Sequence, residues 1–298
     1  MLKSFVKAAL RNLFKDKLYS LINILGLAIG VTCFVFIALW VLDELSYDRF
    51  LPNVDRLYRL AVDNKVNNTI QQYAASSSPM AVTMAKEFPE VEKFARFNIS
   101  RPTLTNPETN EIFRGDNFTF VDPEAIEMLD LKFIAGDPNT ALSSLNSVIL
   151  TQEMATKYFG DADPIGKSLH FSGRPHTVPD ERDYQVTGVI ENFPQNSHFN
   201  IDFLASYATL EHFASRVTQN WDWYFSYSYV LLKSGSDPRG LSKPNCRRWS
   251  TATCRRNRRP SPASGWSRSP IFTCAPISCS VKGRAISPMC ICFPPSPC

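Results

Sequence analysis

The chain has 298 residues, with 32 Lys and Arg against 28 Asp and Glu, giving a formal net charge of +4. That excess averages over unlike regions, so it excludes inferring a nucleic-acid partner from overall basicity. Residues 1–19 carry five basic residues and one acidic residue, 20–42 carry none, 43–237 carry 16 basic and 27 acidic, and 238–298 carry eleven basic and no acidic.

In chain order, the first nineteen residues place Leu2, Phe5, Val6, Ala9, Leu10, Leu13 and Phe14 at helical spacing between lysines. Such a pattern predicts an amphipathic helix lying on a membrane surface or on a partner; a simple topogenic flank is the plainer alternative. Ser20–Leu42 is uncharged throughout. A helix of that length rises roughly 34 Å, enough to cross a hydrocarbon core, and no small-residue cleavage site follows it. Basic residues precede the run, whereas Asp43, Glu44 and Asp48 follow it. The positive-inside rule therefore puts the N-terminus in the cytoplasm and residues 43 onward outside.

Residues 43–237 alternate strand-like and helix-like segments and predict a mixed α+β domain. It is large enough to bury a core and contains no cysteine. Pro79 can open a short helix, "PMAVTMAKEF". "SVIL" reads as a buried strand running into "TQEMATKYFG", where Thr151 can cap the helix start and Gly160 its end. "YQVTGVIENF" and "YFSYSYVLLK" read as strands, the second with Phe225, Tyr227, Tyr229 and Leu231 on one face. Gly136 and Asp137 before Pro138 make a turn, and Asn196, Ser197 and His198 can hydrogen-bond locally to fix a loop after Pro194.

Motifs that carry chemistry are missing. There is no G-x-x-x-x-G-K-[ST] phosphate loop and no H-E-x-x-H, and His170, His176, His198 and His212 lack metal-ligand spacing. The expectation is no catalytic residue, no metal and no cofactor. The aromatic cluster Trp221–Phe225 reads as core or rim rather than a recognition patch.

Four stretches carry a family resemblance: "ELSYDRFLPNVDRLYRL" (Glu44–Leu60), "VDPEAIEMLDLKFIAGDPNTAL" (Val121–Leu142), "SVILTQEMATKYFGDADPIGKSL" (Ser147–Leu169) and "VTGVIENFPQNSHFNIDFLASY" (Val186–Tyr207). In this order they resemble the permease subunits of MacB/FtsX-type ABC transporters, with one departure at Leu51, where the family pattern leads one to expect His. The resemblance implies a non-enzymatic permease of the bacterial inner membrane with a MacB-like periplasmic core domain. Its implied partners are a separate ABC ATPase subunit, a second permease copy or a permease heterodimer partner, and membrane lipid, with no nucleic acid. The family pattern has four spans; only the first is legible, so the reading is a truncated permease. A single-span sensor and a membrane-anchored extracytoplasmic binding protein without transport activity are the alternatives.

The organisation expected is therefore a cytoplasmic helix over 1–19, a span over 20–42, a core domain over 43–237 and an unstructured tail over 238–298. The tail holds seven of the eight cysteines and ten of the 21 prolines, with no helical or strand period. Its composition is explained by a change of reading frame near Gly240–Lys243. Back-translated one base out of register, Ala285–Cys298 can encode Asp-Ile-Ser-Tyr-Val-Tyr-Met-Phe-Ser-Ala-Ile-Ala-Leu, the start of a second apolar span.

Overall fold

A computed structural model describes residues 15, 17–66, 69–115, 117–173, 180–221, 223–236 and 278–282. It divides into two compact units at Tyr47/Asp48. The first unit's described part is one long helix, α1 (Lys17–Ser46), with no buried residue. It extends the uncharged run by about a turn into Lys17 on one side and through Asp43 and Glu44 on the other. Nothing in the uncharged sequence halts a helix at its polar boundaries. The amphipathic reading of residues 1–19 lies almost entirely outside the described residues.

The second unit is built on one mixed sheet. Its strands are β1 (Leu57–Val66), β2 (Thr69–Tyr73), β3 (Val91–Ser100), β4 (Thr103–Thr105), β5 (Ile112–Arg114), β6 (Phe118–Val121), β7 (Phe133–Gly136), β8 (Ser147–Thr151), β9 (Ser168–Gly173), β10 (Asp180–Ile190), β11 (Phe203–Ser206), β12 (Tyr227–Leu232) and β13 (Ser278–Lys282). The spatial order is β13-β1-β12-β3-β6-β11-β8-β10-β9-β4-β5, with β2 on β1 and β7 on β10. β6 with β11 and β8 with β10 pair in parallel; the remaining pairs are antiparallel. The helices are α2 (Ser78–Glu87), α3 (Ala125–Met128), α4 (Gln152–Phe159), α5 (Tyr207–Phe213) and α6 (Ser215–Thr218).

The central strands β6, β8 and β11 are buried at every residue, as expected of strands covered on both faces. Alternate residues feed different cores. Val148 and Leu150 pack with Phe118, Phe120, Phe203, Met154, Tyr158 and Tyr184. Ile149 and Leu204 point the other way, to Ala125, Met128, Leu142, Phe199 and Ile201. A third cluster seats Met80 and Met84 of α2 on Leu60, Val62, Val230 and Leu232 of β1 and β12.

Several local expectations hold. Pro79 lies in the first turn of α2, and Gly160 terminates α4 at φ 60°. Gly136, at φ 90°, lies against the paired Gly188; a Cβ there would come within 2.4 Å of the Thr187 carbonyl oxygen. Two expectations are corrected. Thr151 does occupy the cap position of α4, but its hydroxyl makes no capping bond and is buried without a partner. The carboxamide of Asn192 instead accepts from the Glu153 N–H at 3.0 Å, so the helix is capped from the loop after β10. In the "YFSYSYVLLK" segment, Tyr227, Tyr229 and Leu231 share one cluster, whereas Phe225 precedes the strand and packs against another. Of the tail, only Ser278–Lys282 is described; it lies antiparallel to Arg59–Asp63 as β13. The rest of the 238–298 reading lies outside the described residues.

Candidate functional site

The second unit begins at Asp48, immediately after α1 and its short turn. Asp48 adopts a left-handed conformation, φ 56°, which Asp tolerates better than bulkier residues. Its carbonyl accepts from Leu51 N at 3.1 Å and its own N–H donates to the Asn196 carbonyl at 3.0 Å. The side chain is 1% exposed, and a carboxylate so buried needs donors. Oδ1 accepts from the His198 N–H at 3.0 Å and, more weakly, from Ser197 Oγ at 3.4 Å. Oδ2 meets His198 Nδ1 at 2.5 Å. The far side of the imidazole, Nε2, is 2.9 Å from the Tyr229 hydroxyl.

Tyr229 stands on β12, between β1 and β3. Burial pushes its phenol up to about 12, opposed in part by the charge and hydrogen bond of Arg59. The phenol therefore keeps its proton. The His198 ring links the two, with Nδ1 facing the Asp48 carboxylate and Nε2 facing the Tyr229 hydroxyl. Phe199 packs its ring on Phe97 and Tyr229, at centroid distances of 5.5 and 5.3 Å, which fixes the loop against the core. The result is a clasp. It ties the first residue of the domain to the loop before β11 and, through His198, to the sheet.

The sequence reading gave Asn196, Ser197 and His198 local work only. That work is present, since Ser197 N donates to the Pro194 carbonyl and Phe199 N to Ser197 Oγ. What it missed is the long-range half, to a residue 150 positions earlier. Both halves sit in quoted motifs, "SYDRF" and "NSHF", but no spacing rule joins them. Leu51, the departure from the family pattern, is 2% exposed and lies in the same apolar cluster as Phe199, so an apolar residue fits there.

A second buried polar group stands on the other side of β3. Arg96 donates to Asp122 through Nε at 2.8 Å and Nη2 at 2.6 Å, and through Nη1 to Glu211 at 2.6 Å. Its guanidinium lies 4.0 Å over the Tyr207 ring. Burial alone would lower the Arg96 pKa, but the Asp122 hydrogen bond and charge outweigh it and hold the guanidinium above its ordinary value. The Tyr207 hydroxyl continues to Ser78 Oγ at 2.5 Å and Ser226 Oγ at 2.8 Å. Both Asp122 oxygens and the Tyr207 hydroxyl are engaged internally, so the node ties together α2, β3, α5 and the start of β12.

The remaining sequence candidates do not converge. His170 is half exposed beside Asp183 on the β9–β10 pair, His212 is exposed on α5, and His176 lies outside the described residues. Among the described residues no group of three or more His, Cys, Asp or Glu is placed to hold a metal ion. Trp221 and Tyr224 pack on the α2 cluster, as a rim reading requires, while Trp223 is 47% exposed.

The sequence matches the MacB-like periplasmic core domain family over residues 20–243. The chain belongs to that family. No curated protein matches the sequence. Among solved structures, a domain of a protein named as a permease from Porphyromonas gingivalis is 22% identical with a TM-score of 0.55, covering 68% of this chain and 86% of its own. The periplasmic region of MacB from Actinobacillus actinomycetemcomitans is 14% identical with a TM-score of 0.49, covering 70% and 88%. The extracellular domain of the ABC-type transporter YknZ from Gram-positive bacteria is 15% identical with a TM-score of 0.45, covering 66% and 95%. The first of these likenesses bears on the fold alone, and agrees with the mixed α+β sheet domain. The MacB-like domain here is thus the extracytoplasmic domain of an ABC-type transporter permease. With α1, long and apolar enough to cross a membrane, it makes a membrane-anchored protein.

Proposed function

We propose that this chain is a permease subunit that hands motion between a membrane helix and an extracytoplasmic domain. A separate ABC ATPase supplies the energy, and the assembly contains a second permease copy or a related permease. The N-terminus lies in the cytoplasm and residues 43 onward lie outside the bacterial inner membrane. The observation that carries the reading is the family match over residues 20–243, which takes in both the apolar helix and the domain. Within the domain, Asp48 is held by its side chain and N–H to the loop before β11 and by His198 to β12. In this scheme ATP chemistry belongs to the partner, and the domain's part is mechanical.

The test has two arms. In a chain whose native cysteines are replaced by serine, Glu108→Cys is expected to react with a membrane-impermeant thiol reagent in intact cells. Labelling only after lysis would overturn the orientation. Co-expressed with a candidate ABC ATPase, the chain is expected to co-purify with it, whereas purification of the chain alone would favour an anchored binding protein.

We also propose that the sequence changes reading frame near Gly240–Lys243. The family match ends at residue 243, where acidic residues vanish and cysteine and proline accumulate. Resequencing the gene is expected to show a single-base difference there, or an intact alternate frame running into roughly 20 apolar residues. Stop codons in that frame before the codon for Ala285 would refute it.

A further inference from the structure

β1 is the last strand of the core sheet on its side, and it is long. On its inner edge it pairs with β12 through Leu57–Leu60 and with β2 through Val62–Val66. On its outer edge it pairs with β13 through five consecutive residues, Arg59–Asp63, without a register shift. Arg59, Leu60, Val62 and Asp63 therefore have strand neighbours on both sides. An outer edge of this kind exposes a row of main-chain donors and acceptors, which natural sheets cover or blunt. We propose that the outer edge of β1 is a strand-acceptor site for an extended polypeptide segment, occupied in this chain by Ser278–Lys282.

Main-chain pairing and covalent attachment favour that occupant. Pairing along a sheet edge is made by main-chain groups and asks little of side chains, so a segment without a strand period can fill it. The site is then a property of β1, independent of the frame in which the tail is read. Charge does not select the segment: in the register Lys282 is paired with Arg59 and the other four positions of the segment are uncharged, so main-chain pairing carries the contact. Covalent attachment raises the local concentration of the segment at the edge.

The experiment is amide hydrogen exchange on the full chain in detergent micelles and on the same chain ended at Ser236. In the full chain, the β1 amides that face outward are expected to exchange about tenfold more slowly than in the shortened chain, with β3, β6 and β8 unchanged. A peptide spanning 276–284, added to the shortened chain, is expected to restore the protection. N-methylation at Ser280 and Lys282, or at Cys279 and Val281, removes alternate donors; one of these two peptides is expected to fail and the other to work. Should the shortened chain lose protection throughout, Ser280→Pro and Val281→Pro in the full chain take its place, and at least one is expected to free β1 alone. Equal β1 exchange in the full chain, the shortened chain and both proline variants, with no effect of the peptide, would overturn the proposal.

Discussion

The clasp and the arginine node are both buried polar groups, and they differ in what they leave open. At the node, Arg96 and Asp122 are each less than a tenth exposed and close a permanent ion pair; the hydroxyls beyond Tyr207 terminate on one another. At the clasp, Asp48 is buried but His198 keeps about a quarter of its side chain in solvent, and the imidazole bridges two partners that do not touch each other. The first arrangement has one low-energy state, because parting its charges strands them in a low dielectric. The second can be opened at one imidazole. That contrast makes the node the costlier of the two to break and the clasp the more local.

The largest effect expected from breaking this contrast is at the node. Arg96→Met leaves Asp122 buried without its cation and is expected to lower unfolding stability by about 3–5 kcal/mol, read from urea denaturation. A loss below about 1 kcal/mol would mean that Glu211 and Asp122 are better solvated than the geometry allows.

At the clasp the expected cost is smaller and local. Asp48→Asn weakens the bonds to His198 and Ser197, and about 1.5–3 kcal/mol is expected for a charge-assisted set of this kind. Hydrogen exchange is expected to rise at residues 48–52 and 196–199 while β3 and β8 stay protected. A double-mutant cycle with His198→Gln is expected to show coupling of at least about 0.5 kcal/mol. Global loss of protection by Asp48→Asn would erase the distinction between the two groups.

Alkaline pH probes both together. The Tyr229 phenol is pushed up to about 12, and burial also raises that of Tyr207. Above the ordinary tyrosine pKa the unfolded chain loses these protons while the folded chain keeps them. Their contribution is therefore complete below about pH 10 and is lost as pH rises towards the folded-state value. Stability is expected to fall over that window, and Tyr229→Phe is expected to flatten the slope by up to about 1.4 kcal/mol per pH unit. An unchanged slope would show that Tyr229 titrates normally.

The smallest pair of effects separates local from tertiary capping. Asn192→Ala is expected to cost about 1 kcal/mol through loss of the cap on α4. Thr151→Val, which removes a buried hydroxyl that has no partner, is expected to be neutral or slightly stabilising in thermal unfolding. The reverse ranking would restore Thr151 as the functional cap.

What the sequence determined by itself was whatever depends on neighbours a few residues apart. An uncharged run of membrane length made α1, Pro79 and Gly160 bounded helices, and runs of β-branched and aromatic residues made β8, β10 and β12. The quoted motifs were enough to place the chain in its family. Tertiary structure alone decided which polar groups meet. His198 finds Asp48 and Tyr229, Arg96 finds Asp122 and Glu211, and Asn192 rather than Thr151 caps α4, all across tens to 150 residues of chain. The reason is physical. Propensity and periodicity act over a turn or a pleat, whereas a buried donor is satisfied by whatever the packed chain brings within about 3 Å, and sequence separation leaves no trace of that distance.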